Sequence, residues 1–124
     1  MITICHNPRC SKSRETLALV QQVSSQKNLQ LVVVDYQKSP LDEAQLRLLQ
    51  QQLGIPVRAM LRTNEVPYGE LKLAVADDQT VFAALASHPV LLQRPVVIYQ
   101  GKAMIARPPE QVLSLFQEDI KVTS

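Results

Sequence analysis

The stretch MITICHNPRCSKSRETL, residues 1–17, decides how the fold begins. Residues 1–5 are a short apolar and β-branched run that stops at Asn7-Pro8, which is typical of a strand entering a turn. A helix can then begin near Cys10 or Ser11 and reach about residue 26. Its apolar stripe is formed by Leu17, Leu19, Val20 and Val23. The sequence therefore predicts a cysteine at a strand-to-helix turn.

Two further elements follow this start. Residues 29–35 contain LVVV, a near-continuous apolar run that indicates a strand covered on both faces, so the chain would begin as a parallel βαβ unit. Ser39-Pro40 has the features of a helix start, with a capping residue, a proline at the first helical position and acids in the first turn. We expect this helix to run to Gly54, with one apolar face of Leu46, Leu49 and Leu53.

The second half of the chain predicts short helices and then a hairpin. Residues 56–88 suggest several short helices, including PVRAMLR and one over about 78–87 with Val81, Phe82 and Leu85 facing inward. Residues 96–99 and 102–105 read as antiparallel strands joined at Gln100-Gly101, because glycine supplies the positive φ of a tight turn. Pro108-Pro109-Glu110 opens a last helix that uses Val112, Leu115 and Phe116.

The order β-α-β, helical block, β-β-α predicts an α/β fold with a central mixed four-stranded sheet. With 124 residues the chain is long enough to bury a core, and we expect a single domain over 1–124 with a helical insertion at about 40–90.

Composition argues against several classes of function. A net charge of +2, from 13 basic and 11 acidic residues, is too weak a bias to indicate nucleic-acid binding. Two cysteines and two distant histidines, His6 and His88, give no metal-site spacing, so no metal is predicted. No apolar run approaches the ~18 residues of a membrane span, and the start shows no leader pattern. We therefore expect a cytoplasmic protein without a membrane partner.

Cys10 is the candidate nucleophile. Arg9, Lys12 and Arg14 surround it in the sequence, and a thiol at a helix N-terminus meets unpaired backbone N–H groups and the positive end of the helix dipole. These groups favour the thiolate, and the same geometry binds anions. Substrate and nucleophile would then share one pocket.

Other cysteine chemistries fit less well. Cys10 and Arg14 form Cys-x3-Arg, too short for the Cys-x5-Arg phosphate loop of tyrosine phosphatases, and Ser13 stands where a Cys-x-x-Cys motif needs its second sulfur. Cys5 lies inside the first strand, where burial as a small core residue is favoured. His6 could tune the thiol, although a role in satisfying turn backbone groups is favoured.

Four motifs in order, HNPRCSKSRETL (6–17), LRTNEVPY (61–68), QRPVVI (93–98) and ARPPEQVL (106–113), make the chain resemble the glutaredoxin-linked arsenate reductase (ArsC) family. The resemblance implies a thioredoxin-like fold with an inserted helical block. It also implies that Cys10 attacks arsenate, that Arg62, Arg94 and Arg107 line the oxyanion site, and that Arg94-Pro95 is a cis peptide.

The resemblance further implies arsenate reduction to arsenite, in arsenic detoxification, by external thiols. Glutathione would be a co-substrate, glutaredoxin a protein partner, and no cofactor would be bound. We expect His6, Asn7, Ser13 and Arg14 to support the site. The alternative from another class is a non-catalytic, redox-responsive protein-binding regulator of the Spx type. Ser13 argues against it, since that type carries Cys-x-x-Cys at this position.

Overall fold

The structure of the protein is a computed structural model. It describes residues 1–116. These residues form two compact units. The sheet unit comprises Met1–Asp35 and residues 94–116, and the helical unit comprises Tyr36–Gln93. The helical insertion predicted at about 40–90 falls inside the second unit, while the single-domain organisation stays a prediction.

A mixed four-stranded sheet with the order β2-β1-β3-β4 forms the first unit. Strands β1 (Ile2–His6) and β2 (Leu31–Asp35) pair in parallel, whereas β3 (Val96–Tyr99) runs antiparallel to β1 and to β4 (Lys102–Ile105). Helix α1 (Ser11–Lys27) connects β1 to β2. The predicted α/β class and mixed four-stranded sheet are confirmed.

One apolar core joins the sheet to α1 and to a final 3₁₀ helix, Pro109–Phe116. Side chains two apart along a strand point to the same face, so Ile2 and Ile4 of β1 and their partners on β3 share one face. The rings of Tyr99 and Phe116 pack at an interplanar angle of 48°, with their centroids 4.9 Å apart. The buried members of this core are Ile2, Ile4, Val20, Val23, Val97, Tyr99, Ala106, Val112 and Phe116.

The helical unit contains α2 (Glu43–Leu53), α3 (Val66–Glu70) and α4 (Asp78–Ser87). Three short 3₁₀ helices, Val57–Met60, Leu73–Val75 and Pro89–Leu91, complete it. The predicted inward residues of α4 are indeed buried: Val81, Phe82 and Leu85.

Two local predictions are wrong. Helix α2 begins at Glu43 rather than at Pro40, because Asp42 forms a reciprocal capping box with Gln45: the Asp42 side chain accepts from Gln45 N at 2.8 Å, and Gln45 Oε1 accepts from Asp42 N at 2.9 Å. Strand β2 is not covered on both faces. It lies at an edge of the described sheet, and Val33 is 48% exposed.

The hairpin prediction is confirmed and extended. Gly101 has φ +76°, and Gln100 beside it has φ +51°, so both turn residues are left-handed. This is the pattern of the two-residue turns whose twist matches the flanking strands. The last helix begins near the expected Pro109, but it is a 3₁₀ helix.

Candidate functional site

Cys10 occupies the N-cap position of α1. Its backbone is extended, with φ −97° and ψ 124°, and its side chain makes no capping hydrogen bond. As a thiolate, however, the sulfur can accept hydrogen bonds from the first-turn N–H groups of Lys12 and Ser13, which stabilise the anion. The sequence correctly predicts this placement, because Asn7-Pro8 ends the strand and no proline or glycine interrupts the residues that follow.

Asn7 and Ser13 hold the loop that presents the thiol. Asn7 Oδ1 accepts a hydrogen bond from Arg9 N at 3.0 Å, and the Asn7 carbonyl accepts from Cys10 N at 3.0 Å. Ser13 Oγ in turn accepts from Asn7 N at 3.4 Å, and Ser13 is fully buried. These bonds fix the backbone on both sides of Cys10 without touching its sulfur.

Arg14 acts on the same loop from the helix side. Its Nη1 donates to the Pro8 carbonyl at 2.9 Å. The guanidinium is therefore bound to backbone, and it is not among the groups that shift the pKa of Cys10. Arg14 therefore binds the loop between β1 and α1 through the Pro8 carbonyl.

His6 ends β1 and is 7% exposed. Burial lowers its pKa and outweighs the opposing charge of Asp35. A neutral imidazole is therefore favoured at pH 7, so His6 adds no positive charge near the thiol.

Two of the three predicted arginines reach Cys10 from the far end of the chain. Arg107 Nη2 lies 3.9 Å from Cys10 Sγ, and Arg107 Nε donates to the Arg94 carbonyl at 2.7 Å. The Arg94 side chain itself forms a hydrogen bond with the Cys10 sulfur. The Arg94-Pro95 peptide is cis, as predicted, and so is Arg107-Pro108, which was not predicted.

These neighbours change the acidity of the thiol. Burial alone would raise the pKa of Cys10, but the Ser13 N–H, the Arg94 hydrogen bond, the Lys12 N–H and the Arg94 charge together lower it from 9.0 to about 7. The activating charge therefore comes from Arg94 rather than from the cations beside Cys10 in the sequence. A substantial fraction of thiolate is present at neutral pH.

Cys5 is the opposite kind of cysteine. It pairs with Val96 in the sheet and is 2% exposed, and burial raises its pKa to about 11. Both thiols are free. The prediction of Cys5 as a buried core residue is therefore confirmed.

Arg62 belongs to the helical unit. Its side chain is 14% exposed and pairs with Glu65 at 3.4 Å, while its N–H donates to the Leu91 carbonyl at 2.7 Å. Its role in binding an oxyanion stays a prediction.

Thr16 is a buried polar residue that the sequence reasoning missed. It is fully buried one turn after Ser13, and the inward face of α1 is formed by Ser13, Thr16, Val20 and Val23. Extending the stripe backwards from Val20 by four and seven residues would have identified both hydroxyl residues. The buried face of α1 is therefore polar at its start and apolar further along the helix.

Within residues 1–116, no cluster of three or more His, Cys, Asp or Glu side chains is arranged to hold a metal ion. In the same range, no helix has the length and apolarity to cross a membrane. The chemistry available at the site is that of an activated thiolate beside two guanidinium groups and the backbone N–H groups at the start of α1. Such a site can bind an oxyanion and attack it through sulfur.

Comparison with known proteins agrees with this site. A family model described as the ArsC family matches residues 5–115. The chain is 40% identical to an arsenate reductase of Haemophilus influenzae over 92% of this chain and 97% of the relative. It is 43% identical to the uncharacterized protein YfgD of Escherichia coli, over 92% and 95%.

Solved structures give the same result. An arsenate reductase from Vibrio cholerae superposes with a TM-score of 0.84 at 45% identity, covering 91% of this chain and 95% of that one. The predicted thioredoxin-like fold is confirmed. From its sequence motifs, its fold and these matches, the chain belongs to the ArsC family.

Proposed function

We propose that this protein reduces arsenate to arsenite through Cys10. The observation that carries the proposal is the Cys10 thiol, whose pKa is lowered to about 7 beside the Arg94 and Arg107 side chains. Relatives named arsenate reductase support the choice of substrate. The site has the two features that this reaction needs, namely a nucleophile that is ionised at neutral pH and cations to hold the oxyanion.

The first step is attack on arsenic. Arg94 and Arg107 bind arsenate oxygens through charge-assisted hydrogen bonds, and the N–H groups at the start of α1 add further donors. Arg62 is proposed as a third ligand on the basis of the family resemblance. The Cys10 thiolate forms a bond to arsenic, and one arsenate oxygen leaves as water after protonation. Arsenic is still As(V) at this stage.

The second step supplies two electrons. A thiolate from solution attacks the Cys10 sulfur, the sulfur–arsenic bond breaks, and its electron pair stays on arsenic, which leaves as arsenite. Cys10 is left in a mixed disulfide. Cys5 is a poor source of this second thiol, because it is buried and its pKa is raised to about 11. We propose glutathione as the co-substrate.

A further thiol must then restore Cys10. We propose that glutaredoxin reduces the mixed disulfide, which returns the thiolate for another cycle. Glutathione and glutaredoxin act as reductants only in a reducing compartment, so we place the reaction in the cytoplasm. There it would serve arsenic detoxification. The scheme uses no bound cofactor.

Arsenite production by the purified protein, supplied with arsenate, glutathione and glutaredoxin, tests the proposal. We expect turnover by the wild type, none by Cys10→Ser, and most of the wild-type rate in Cys5→Ser, which is the matched control. Absence of turnover in the wild type, with Cys10 still reactive towards alkylating agents, would overturn the proposal and favour a protein-binding regulator.

A further inference from the structure

Three cations lie next to the reactive thiol in the sequence, and they have different partners. Arg14 donates to a backbone carbonyl of the loop at 2.9 Å, so its guanidinium is already bound. Lys12 pairs with Glu15 at 3.7 Å, between side chains that are 50% and 56% exposed. Arg9 is exposed as well, and within residues 1–116 its side chain forms no hydrogen bond or ion pair. Two exposed positive charges, one of them weakly compensated, therefore stand beside the thiol.

The proposed mechanism gives the side chains of Arg9 and Lys12 no role. Neither side chain is among the groups that lower the pKa of Cys10, since Lys12 acts on the sulfur through its backbone N–H. The proposed ligands of the oxyanion, Arg94 and Arg107, reach the thiol from the other end of the chain. The two exposed cations beside the nucleophile therefore have no assigned function.

The distance between Arg9 and Cys10 determines which charges Arg9 can influence. Consecutive Cα atoms are ~3.8 Å apart, so the separation of the guanidinium from the sulfur is of the same order as the Debye length, about 10 Å at 0.1 M salt. At about 10 Å in water, the attraction between two single charges changes an equilibrium only about twofold. This small factor agrees with the absence of Arg9 from the groups that lower the pKa of Cys10. For a reactant with two negative charges the factor is squared, to about fourfold.

From these observations we propose that Arg9 and Lys12 are specificity-determining residues of the Cys10 site. They select dianionic reactants over neutral and cationic ones as the reactant approaches the sulfur, because exposed charges act on the encounter of a charged reactant with its site. Glu15 limits this selection by compensating Lys12. The inference rests on the proposed nucleophilic role of Cys10. Arsenate in its doubly charged form has the charge that would be selected.

The test is a charge series of small disulfides that react with Cys10 in the absence of arsenate. Dithiodipropionate is a dianion, bis(2-hydroxyethyl) disulfide is neutral, and cystamine is a dication. In each case the Cys10 thiolate attacks one sulfur of the reagent, forms a mixed disulfide and releases the other half as a thiolate. Intact-protein mass spectrometry gives the second-order rate constant. The rate constant of the neutral reagent reports any change in the thiol itself.

Three variants separate the effect of charge from damage to the structure. Arg9→Gln removes one exposed cation, and Glu15→Gln removes the carboxylate that compensates Lys12. Lys27→Gln is the matched control, because it removes a cation at the far end of the 17-residue α1, roughly 25 Å along the axis at ~1.5 Å per residue. Each rate is measured at about 0.01 M and at about 1 M salt, where the Debye length is about 30 Å and about 3 Å.

At low salt we expect Arg9→Gln to react about threefold more slowly than the wild type with the dianion and about threefold faster with the dication, slightly less than the unscreened fourfold factor. Its rate with the neutral disulfide should stay within about 1.5-fold of the wild type, since a neutral reagent has no charge to attract. Glu15→Gln should change the rates in the opposite directions, and Lys27→Gln should change none of them by more than about 1.5-fold. At high salt all these differences should disappear, because exposed charges are then screened.

Unchanged rates of Arg9→Gln at low salt would overturn the inference. A change that does not reverse its sign between the dianion and the dication would also overturn it, because that result would reflect damage to Cys10. The same holds if Glu15→Gln changes the rates in the same direction as Arg9→Gln, since opposite charges cannot act alike through attraction. Because no arsenate is present, a failure of arsenate reduction and a failure of charge selection are observed separately.

Discussion

Replacing Arg94 by Ala should raise the pKa of Cys10. Arg94 contributes both a hydrogen bond and a positive charge to the thiolate, while the N–H groups of Ser13 and Lys12 remain in the variant. The bond from Arg107 Nε to the backbone carbonyl of residue 94 is also retained, because alanine keeps that carbonyl. The substitution therefore removes the guanidinium and leaves the rest of the site in place.

The size of the change follows from the interaction that is lost. A hydrogen bond to a charged group contributes about 1.5 kcal/mol at the lower end of its range, and one pKa unit corresponds to about 1.4 kcal/mol. The pKa of Cys10, about 7 in the wild type, should thus rise by about one unit. At pH 7 the thiolate fraction would fall from about a half to about a tenth, and alkylation would slow about fivefold.

The assay is the rate of iodoacetamide alkylation as a function of pH. Cys5 contributes little signal because it is buried and its pKa is raised to about 11, and Cys10→Ser verifies this. Arg9→Ala is the matched control. It removes an exposed positive charge that is next to Cys10 in the sequence but is not among the groups that shift the pKa of Cys10. A midpoint that stays near 7 in Arg94→Ala, or that moves equally in Arg9→Ala, would refute the assignment of the activating charge to Arg94.

Two other predictions concern substrate binding and stability. Arg107→Ala and Arg62→Ala should each lower kcat/KM for arsenate about tenfold or more, since each guanidinium would stabilise charge on the oxyanion; unchanged values in both variants would contradict the proposed arginine site. Asp42→Ala should lower the free energy of unfolding by about 1 kcal/mol in urea titrations, whereas Ser39→Ala should have little effect, because Asp42 is the residue that caps α2. Equal losses in the two variants would contradict this capping assignment.

Most secondary structure could be predicted from the sequence because its signals are local. The apolar run before Asn7-Pro8, the stripe of α1 and the glycine of the β3–β4 turn each indicate one structure. The start of α2 was misplaced because two start signals overlap. Ser39-Pro40 resembles a helix start, but the Asp42-x-x-Gln45 spacing allows two reciprocal hydrogen bonds, and these decide where the helix begins.

Burial and long-range contacts were harder to predict. The LVVV run of β2 is as apolar as a central strand, yet its place at the sheet edge follows from the strand order, which no local pattern encodes. Helix-terminal activation of Cys10 could be derived from its neighbours. The roles of Arg94 and Arg107 could not, because Arg107 reaches Cys10 across 97 positions of sequence, and only the family resemblance pointed to them.

The most direct test of the central claim is intact-protein mass spectrometry of the wild type, quenched with acid during turnover with arsenate and glutathione. The account predicts one glutathionyl group per chain, located on Cys10 by peptide mapping, with Cys5 unmodified. A disulfide between Cys5 and Cys10, or arsenite formation while Cys10 remains unmodified throughout, would contradict a Cys10 nucleophile that is completed by an external thiol.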